Sequence, residues 1–498
     1  MLKPSMSEVR AYAEKFKTVP VSRTLLSDIK TPVEVLQILK KASGHCFMLE
    51  SLEDPTKWGR YTFLGYDPEL EISCADNQLK ITGKRGGIED MVIATGNPAR
   101  YIRKIIEDNK SPRIEGLPPF TGGLVGYFSY DFIKYGEPAL KLRGRDDVSF
   151  KDADLMLFDK IIAFDNLKQK ITLIVNIRTD DIENNYKNAV DELDKMANLI
   201  TSGEPMNPEP LRIKSSFRPL FSEEEYCRMV MRAKKYIYEG DVFQVVLSNR
   251  LQADIKGSLF DTYRVLRTTN PSPYMFYFSS GDMEISGASP ETLVKLTDGD
   301  LYTRPLAGTR PRGETDREDQ ALERELLRDS KELAEHNMLV DLGRNDLGKI
   351  SKFGSVKVKE YLTVERFSHV MHIASTVRSK IRKGMGAAEA ISAVLPAGTL
   401  SGAPKMRACQ IIDELENYKR GIYGGAIGYL DLTGNMDTCI AIRFALKKNG
   451  KVYICAGAGI VADSIPENEY RECVSKSAAV INALKTAENM AYEGRPEI

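Results

Sequence analysis

Residues 329–348, reading DSKELAEHNMLVDLGRNDLG, restrict the possible folds of this chain more than any other stretch. Leu322, Leu326, Leu333 and Val340 recur at spacings that predict one side of a helix. Glu332 and Glu335 then project roughly 60° apart on one flank of it. A second pair at the same spacing, Glu469 and Glu472, lies far downstream in PENEYRECVSKSAAVINAL. A fold that brings the pairs together places four carboxylates in one site. At ~5 Å and an effective dielectric of ~20, each pair repels by about 3 kcal/mol, so the cluster requires a cation. Oxygen-only ligands suit Mg²⁺, which keeps some waters and takes further ligands from substrate. Taken alone, E-x-x-E on a helix also describes many solvated faces.

A chain of 498 residues has room for two or three ordinary domains or one large one. Lysine plus arginine and aspartate plus glutamate both number 70, so no net field favours nucleic acid or an acidic membrane. The cysteines (46, 74, 227, 409, 439, 455 and 473) show no C-x-x-C pairing and read as reduced thiols of a cytoplasmic protein. No apolar run approaches the ~18 residues of a membrane span, and the charged start MLKPSMSEVRAYAEKFK is not a secretory signal. His45, His336, His369 and His372 have no zinc-type spacing with cysteine.

Residues 1 to about 30 read as an amphipathic helix and a connector. TPVEVLQILKKAS follows as a helix, HCFMLESL as a strand, ITLIVNI as a strand, and DDIENNYKNAVDELDKMANLI as an amphipathic helix. TSGEPMNPEPLRIKSS, with Pro205, Pro208 and Pro210, is the best linker candidate. Ser222 and Glu225 form a capping-box signal for a helix to about Gly240, followed by a strand containing Gln244. NPSPYMFYFS and EISGASPETLVKL supply further strands. In the β-rich last third, GGAIGYLDL, TCIAIRFALKK and KVYICAGAGI are predicted strands, the last two joined by a type I′ hairpin at Lys448-Asn449-Gly450-Lys451. Alternation along TCIAIRFAL puts Ile440, Ile442, Phe444 and Leu446 on one face and Arg443 on the other, as a carboxylate clamp or a solvent-facing edge residue. Gly457 and Gly459 let backbone N–H groups approach a ligand, or mark a bulge. Ser464 and Glu467 offer another capping box, and Glu469 and Glu472 then sit where a helix dipole favours negative charge.

Three long motifs add a resemblance. PLAGTRPRGET (305–315), ELAEHNMLVDLGRNDLG (332–348) and LPAGTLSGAPKMRACQIIDELE through RGIYGGAIGY (395–429), with SGASPE and AGAGIVADSIPENEYREC, are similar to the chorismate-utilising enzyme family over about Ser222 to Leu484. MLES at 48–51 and WGRYTFLG at 58–65 resemble the N-terminal region of its anthranilate-forming members. The resemblance implies an α+β fold, a large αβα sandwich of two antiparallel-rich sheets with helices outside and a central cleft. It divides the chain into an N-terminal regulatory region at 1–200, a linker at 201–221, a chorismate-binding region at 222–484 and a tail at 485–498.

It also implies roles. Glu332, Glu335, Glu469 and Glu472 match ligands of Mg²⁺, which is bound together with the ring carboxylate of chorismate. Tyr423 and Arg443 match residues holding the enolpyruvyl carboxylate, with backbone donors at Gly457, Ala458 and Gly459. Thr399 lies beside the substrate, Gly308 and Thr309 near the ring, and Lys476 near a carboxylate. Glu291 matches the acid that protonates the departing C4 hydroxyl, and His372 a histidine beside the ring; His336 and His369 are read as structural. Water-adding members carry a lysine base where this chain has Gln244, and the aminodeoxychorismate branch commonly carries a lysine where it has Ala307. Both favour ammonia addition and anthranilate formation, with the folate branch and a non-catalytic tryptophan scaffold as alternatives. With no Cys-His-Glu constellation or G-x-C-x-G elbow, ammonia is expected from a separate glutamine amidotransferase subunit, in a heterotetramer. Leu49, Glu50 and Ser51 with Pro273, Tyr274 and Met275 match a feedback site for L-tryptophan.

Overall fold

The apolar stretches form strands that assemble into two sheets, of fourteen and twelve strands, among the residues 2–52, 59–83, 89–281, 283–366 and 370–490 that the computed structural model describes. Trp58, His369 and residues 491–498 lie outside these ranges. In the first sheet, strands Thr18–Leu26, Lys170–Arg178, Lys160–Asp165, Tyr61–Tyr66 and His45–Glu50 lead to Tyr274–Ser280, Met283–Ser289, Phe444–Lys448, Lys451–Ile460 and Gln244–Lys256. The second runs from Leu306–Pro311 and Val370–Lys380 through Thr292–Thr297, Met436–Ile440 and Ala426–Asp431 to Gly123–Phe128 and Ala153–Phe158. Each sheet crosses the expected 201–221 boundary through an antiparallel seam. Glu50 pairs with Met275 in one and Gly126 with Gly428 in the other. The boundary therefore exists in chain order and not in space. The expected linker is itself pinned: Arg212–Ile213 and Arg218–Pro219 pair with Gln244–Lys256, and Leu211 is fully buried.

The sandwich follows from which faces are apolar. Phe47 and Phe276 of the first sheet meet Phe158, Leu155 and Ile427 of the second in one core, with the Phe47 and Phe158 rings edge-on at 4.8 Å. The outer face of the first sheet, including Leu173, Val175 and Ile454, is covered by Leu193 and Met196 of helix Ile182–Ser202 and by Val480 and Leu484 of helix Pro466–Met490. A third cluster packs helices Glu223–Tyr238 and Lys405–Glu416 against Val245, Leu247 and Ala458. Local signals set the helix starts. Thr31 and Ser222 each form a reciprocal capping box, with Glu34 and Glu225.

Several expectations are corrected. The helix near the start ends at Ala13, and Thr18–Leu26, read as connector, is a strand in register with Lys170–Arg178. Leu322 and Leu326 belong to a separate helix, Asp316–Leu326. Asp329 caps a new helix, Ser330–Ile350, by accepting from the Lys331 and Glu332 N–H groups. Leu322, Leu326 and Leu333 still share one apolar cluster with Met371 and Ile373, whereas Val340 joins the central core. TCIAIRFALKK is two strands, because the chain leaves the second sheet at Ile440 and enters the first at Phe444. Arg443 occupies the step between them at φ +55°, a left-handed backbone and not a strand position. Ser464 does not cap through Glu467; its Oγ accepts from the Val461 N–H. The last helix continues to Met490, beyond the expected start of the tail. The Asn449-Gly450 turn does take the positive φ values, +50° and +72°, that a type I′ hairpin needs.

Candidate active site

The two sheets diverge around a cleft of about 570 Å³, a volume typical of small-molecule sites. The first sheet contributes Gln244, Gly457 and Gly459, and the second Gly308, Thr309 and His372. The helix Ser330–Ile350 brings Lys331, Glu332 and Glu335, and the helix Pro466–Met490 brings Glu469, Glu472 and Lys476. Glu291, Tyr423 and Arg443 come from the connections between elements, and Thr399 from the short 3-10 helix Gly398–Leu400. Thus every catalytic, substrate or metal candidate except Ala458 lines one cavity. Ala458 pairs with Leu247, and its methyl belongs to the neighbouring core.

Glycine sets how closely the groups approach. Gly308 sits at a register shift in its strand with φ +72°, and a β-carbon there would come within 3.2 Å of Glu332 Oε2. A β-carbon on Gly459 would lie 2.6 Å from Gln244 Nε2, and one on Gly457 2.7 Å from the Leu247 carbonyl. The Gln244 side-chain oxygen is buried without a hydrogen-bond partner among the described residues.

Glu291 follows Pro290 in the turn between Met283–Ser289 and Thr292–Thr297. Burial pushes its carboxyl up to about 8, against the opposing pull of the Leu306 N–H and the Thr399 hydroxyl, which donates at 3.4 Å. At neutral pH it is therefore an uncharged acid. The His372 ring faces the Gly308 carbonyl at 3.0 Å and the Thr309 hydroxyl at 3.1 Å through Nδ1. Donation from Nδ1–H to the carbonyl leaves the lone pair on Nε2, and burial lowers the ring below the usual histidine range. His336 is fully buried with Nε2 2.7 Å from Ser375 Oγ, and burial takes it down to about 4. Burial also lowers Arg443, while Tyr423 and Glu472 favour its charge; its Nη1 donates to the Lys476 carbonyl at 2.9 Å.

The four glutamates face one another across the cleft without converging. Among the described residues no three acidic, histidine or cysteine side chains form a metal-sized cluster. Basic side chains occupy the gaps. Lys476 Nζ lies 2.5 Å from Glu472 and donates to the Gly457 carbonyl at 3.0 Å, and Arg310 reaches Glu332 at 3.6 Å. Basic side chains thus supply part of the positive charge that the glutamates require. Excess negative charge nevertheless persists. Burial raises Glu335, reinforced by Glu332 and Glu472, and burial raises Glu469, reinforced by Glu472. Hard oxygen donors that still repel one another fit a divalent cation such as Mg²⁺. Sequence reasoning missed Lys331 and Arg310, which partly offset this charge; Lys331 directly precedes Glu332 and lines the cleft, and Arg310 lies inside the quoted PLAGTRPRGET motif.

Leu49, Glu50, Ser51, Pro273, Tyr274 and Met275 line a second cavity of about 330 Å³, formed where His45–Glu50 pairs with Tyr274–Ser280. The Glu50 carboxylate accepts from Arg267 Nε and Nη2 at 2.5 and 2.9 Å and from the Tyr263 hydroxyl at 2.5 Å. Tyr274 donates to Asp437 at 2.9 Å and sits 2.9 Å from the Thr292 hydroxyl.

Comparison with known proteins agrees with this architecture. The model of the chorismate binding enzyme family matches residues 44–482, well before the Ser222 start read from the motifs. The chain is 44% identical to the anthranilate synthase component 1 of Acetivibrio thermocellus, over 98% of this chain and 99% of that one. It is 43% identical to that of Pseudomonas aeruginosa, over 96% and 98%. Among solved structures, anthranilate synthase component I from Streptococcus pneumoniae superposes with a TM-score of 0.74 at 37% identity, covering 92% of this chain and 98% of that one. The menaquinone-specific isochorismate synthase of Escherichia coli shares the fold at 20% identity, with a TM-score of 0.69, covering 96% of this chain and 98% of that one.

Proposed function

The chain belongs to the chorismate-binding enzyme family, and from that premise we propose that it converts chorismate and ammonia to anthranilate, pyruvate and water. One observation carries the reading. Glu291 is a buried, neutral carboxyl in a cleft whose other polar groups suit a dicarboxylate substrate. Hydroxide is a poor leaving group, and a carboxyl protonated at neutral pH supplies the proton it needs. Gln244 favours ammonia over water as nucleophile, because a neutral amide takes no proton from water. Ala307 at the ring wall, in place of the lysine common in the folate branch, favours aromatisation to anthranilate.

Arg443 and Tyr423 bind the enolpyruvyl carboxylate, the planar guanidinium offering two parallel donors. Gly457 and Gly459 keep that end of the cleft open, and Lys476 orients the carboxylate end. Glu332, Glu335, Glu469 and Glu472 would hold Mg²⁺, which when bound supplies Lewis-acid neutralisation of a substrate carboxylate. His372, with its lone pair on Nε2, receives the ring proton as pyruvate leaves. A separate glutamine amidotransferase subunit provides the ammonia, in a cytoplasmic heterotetramer. The second cavity binds L-tryptophan as feedback inhibitor, a reading supported by the six expected residues sharing its lining. Incubating the chain with chorismate, ammonium and Mg²⁺ tests the proposal. Fluorescent anthranilate is expected, with no partner added. Accumulation of 4-amino-4-deoxychorismate, or product formation without an ammonia source, would overturn it.

A further inference from the structure

Glu291 also lines a second, smaller chamber whose walls include none of the four glutamates. Glu291 and Thr399 line both it and the cleft. Its volume of about 30 Å³ is room for about two waters, at ~10–15 Å³ each. Its wall also carries Asp346, from the helix Ser330–Ile350, only 3% exposed. Asp346 Oδ2 accepts from Lys405 Nζ at 2.7 Å, and Lys405 also donates to the Val394 carbonyl at 2.7 Å. Asp346 Oδ1 has no hydrogen-bond partner among the described residues. A buried ion pair with one oxygen left unsatisfied is costly in a protein interior, and such costs concentrate at functional positions. Water entering the chamber would meet polar groups of its walls, among them the Glu291 carboxyl, the Thr399 hydroxyl and Asp346 Oδ1, and a buried water usually makes about three such bonds.

We propose that Asp346, held by Lys405, returns a proton to Glu291 through this chamber after each turnover. The proposal rests on the reading of Glu291 as the catalytic acid. Protonation of the C4 hydroxyl breaks the O–H bond of the Glu291 carboxyl and releases water, leaving a buried carboxylate. Ammonia addition leaves an ammonium on the ring that sheds one proton to solvent through the cleft. One proton must therefore come back to Glu291. The proton passes first from solvent to the Asp346 carboxylate, then from Asp346 to a chamber water as that water's own proton forms the new O–H bond on Glu291, and Asp346 is left again as the carboxylate of its ion pair with Lys405. Lys405, Lys349 and Glu137 are the charged groups acting on Asp346; Lys349 and Glu137 pair at 2.8 Å, each about one third exposed. Asp346 touches neither substrate nor the reacting atoms; it is a positioning residue.

The test compares the native chain with Asp346→Asn and with the double variant Asp346→Asn/Lys405→Met, which leaves no unpaired buried ammonium. Anthranilate formation from chorismate, ammonium and Mg²⁺ is followed from pH 6 to 10, in H₂O and D₂O, beside thermal unfolding. Native kcat is expected to stay flat to about pH 8. The variants lose tenfold or more in kcat above neutrality, falling about tenfold per pH unit because protons then reach Glu291 only from bulk solvent. The D₂O effect on kcat rises, and KM for chorismate stays within twofold. A folded double variant with the native pH profile and isotope effect overturns the relay. So does a loss that is independent of pH and shared by kcat and KM, which marks Asp346 as structural. Failure of the native chain to form anthranilate overturns the reading of the site itself.

Discussion

Replacing Glu291 by glutamine is expected to destroy catalysis and stabilise the fold, by amounts that follow from one environment. In the unfolded chain a glutamate ionises near its ordinary 4.5; in the folded chain burial holds this one at about 8. The folded state thus binds the extra proton between those values, and stability falls as pH rises through the window. Below 4.5 the two states are equally protonated and the group costs nothing. At pH 7 the folded form is still about nine-tenths protonated, and the penalty is about 3 kcal/mol; above pH 9 it levels at about 5 kcal/mol, from 1.36 kcal/mol per unit of pKa difference. Glutamine keeps the shape and an acceptor for Thr399 but does not ionise. Urea unfolding of both proteins at pH 3, 7 and 9 should show no difference, then about 3 and about 5 kcal/mol in favour of the variant. Its kcat should fall roughly 10²–10⁴-fold, the usual worth of a general acid, with chorismate affinity nearly unchanged. Parallel stability profiles would refute the buried-acid argument, and retained turnover would refute the catalytic role.

Glu335→Gln should abolish turnover while leaving thermal unfolding near native, and Mg²⁺ should no longer strengthen chorismate binding; retained activity counts against the metal assignment. Gln244→Lys should suppress anthranilate formation and yield a water-addition product resolvable by chromatography, since the new amine can serve as a base; unchanged product refutes the role given to the amide. Ser51→Phe should weaken tryptophan inhibition by about tenfold or more (1.4 kcal/mol) at near-native kcat, and unchanged inhibition removes Ser51 from that cavity.

Local chemistry was legible wherever a short segment determines its own conformation. The Ser222–Glu225 capping box, the Asn449-Gly450 hairpin and the amphipathic helix Ile182–Ser202 needed no distant partner. Thr18–Leu26 was opaque because its strand state depends on pairing with Lys170–Arg178, far along the chain. Periodicity also misled where it spans a break. Ile440 to Leu446 alternate like one strand, yet the chain changes sheets at Arg443, and only the backbone reveals the left-handed step. At the site, the two glutamate pairs were visible as charge, but nothing local said that two helices would face across one cleft, or that Lys476 and Arg310 would partly neutralise them. Asp346 and Lys405 carried no signal at all, since a buried ion pair is defined only by its surroundings.

The seam between His45–Glu50 and Tyr274–Ser280 also has a consequence for synthesis. About 220 residues must emerge from the ribosome after the first strand before its partner exists, roughly 10–45 s at typical elongation rates. Through that interval His45–Glu50, apolar from Cys46 to Leu49, presents an open edge of the kind that templates aggregation. The nascent chain should therefore depend on a holdase chaperone until translation has passed Ser280, and ribosome-bound chains stalled before that point should be captured by one while longer chains are released.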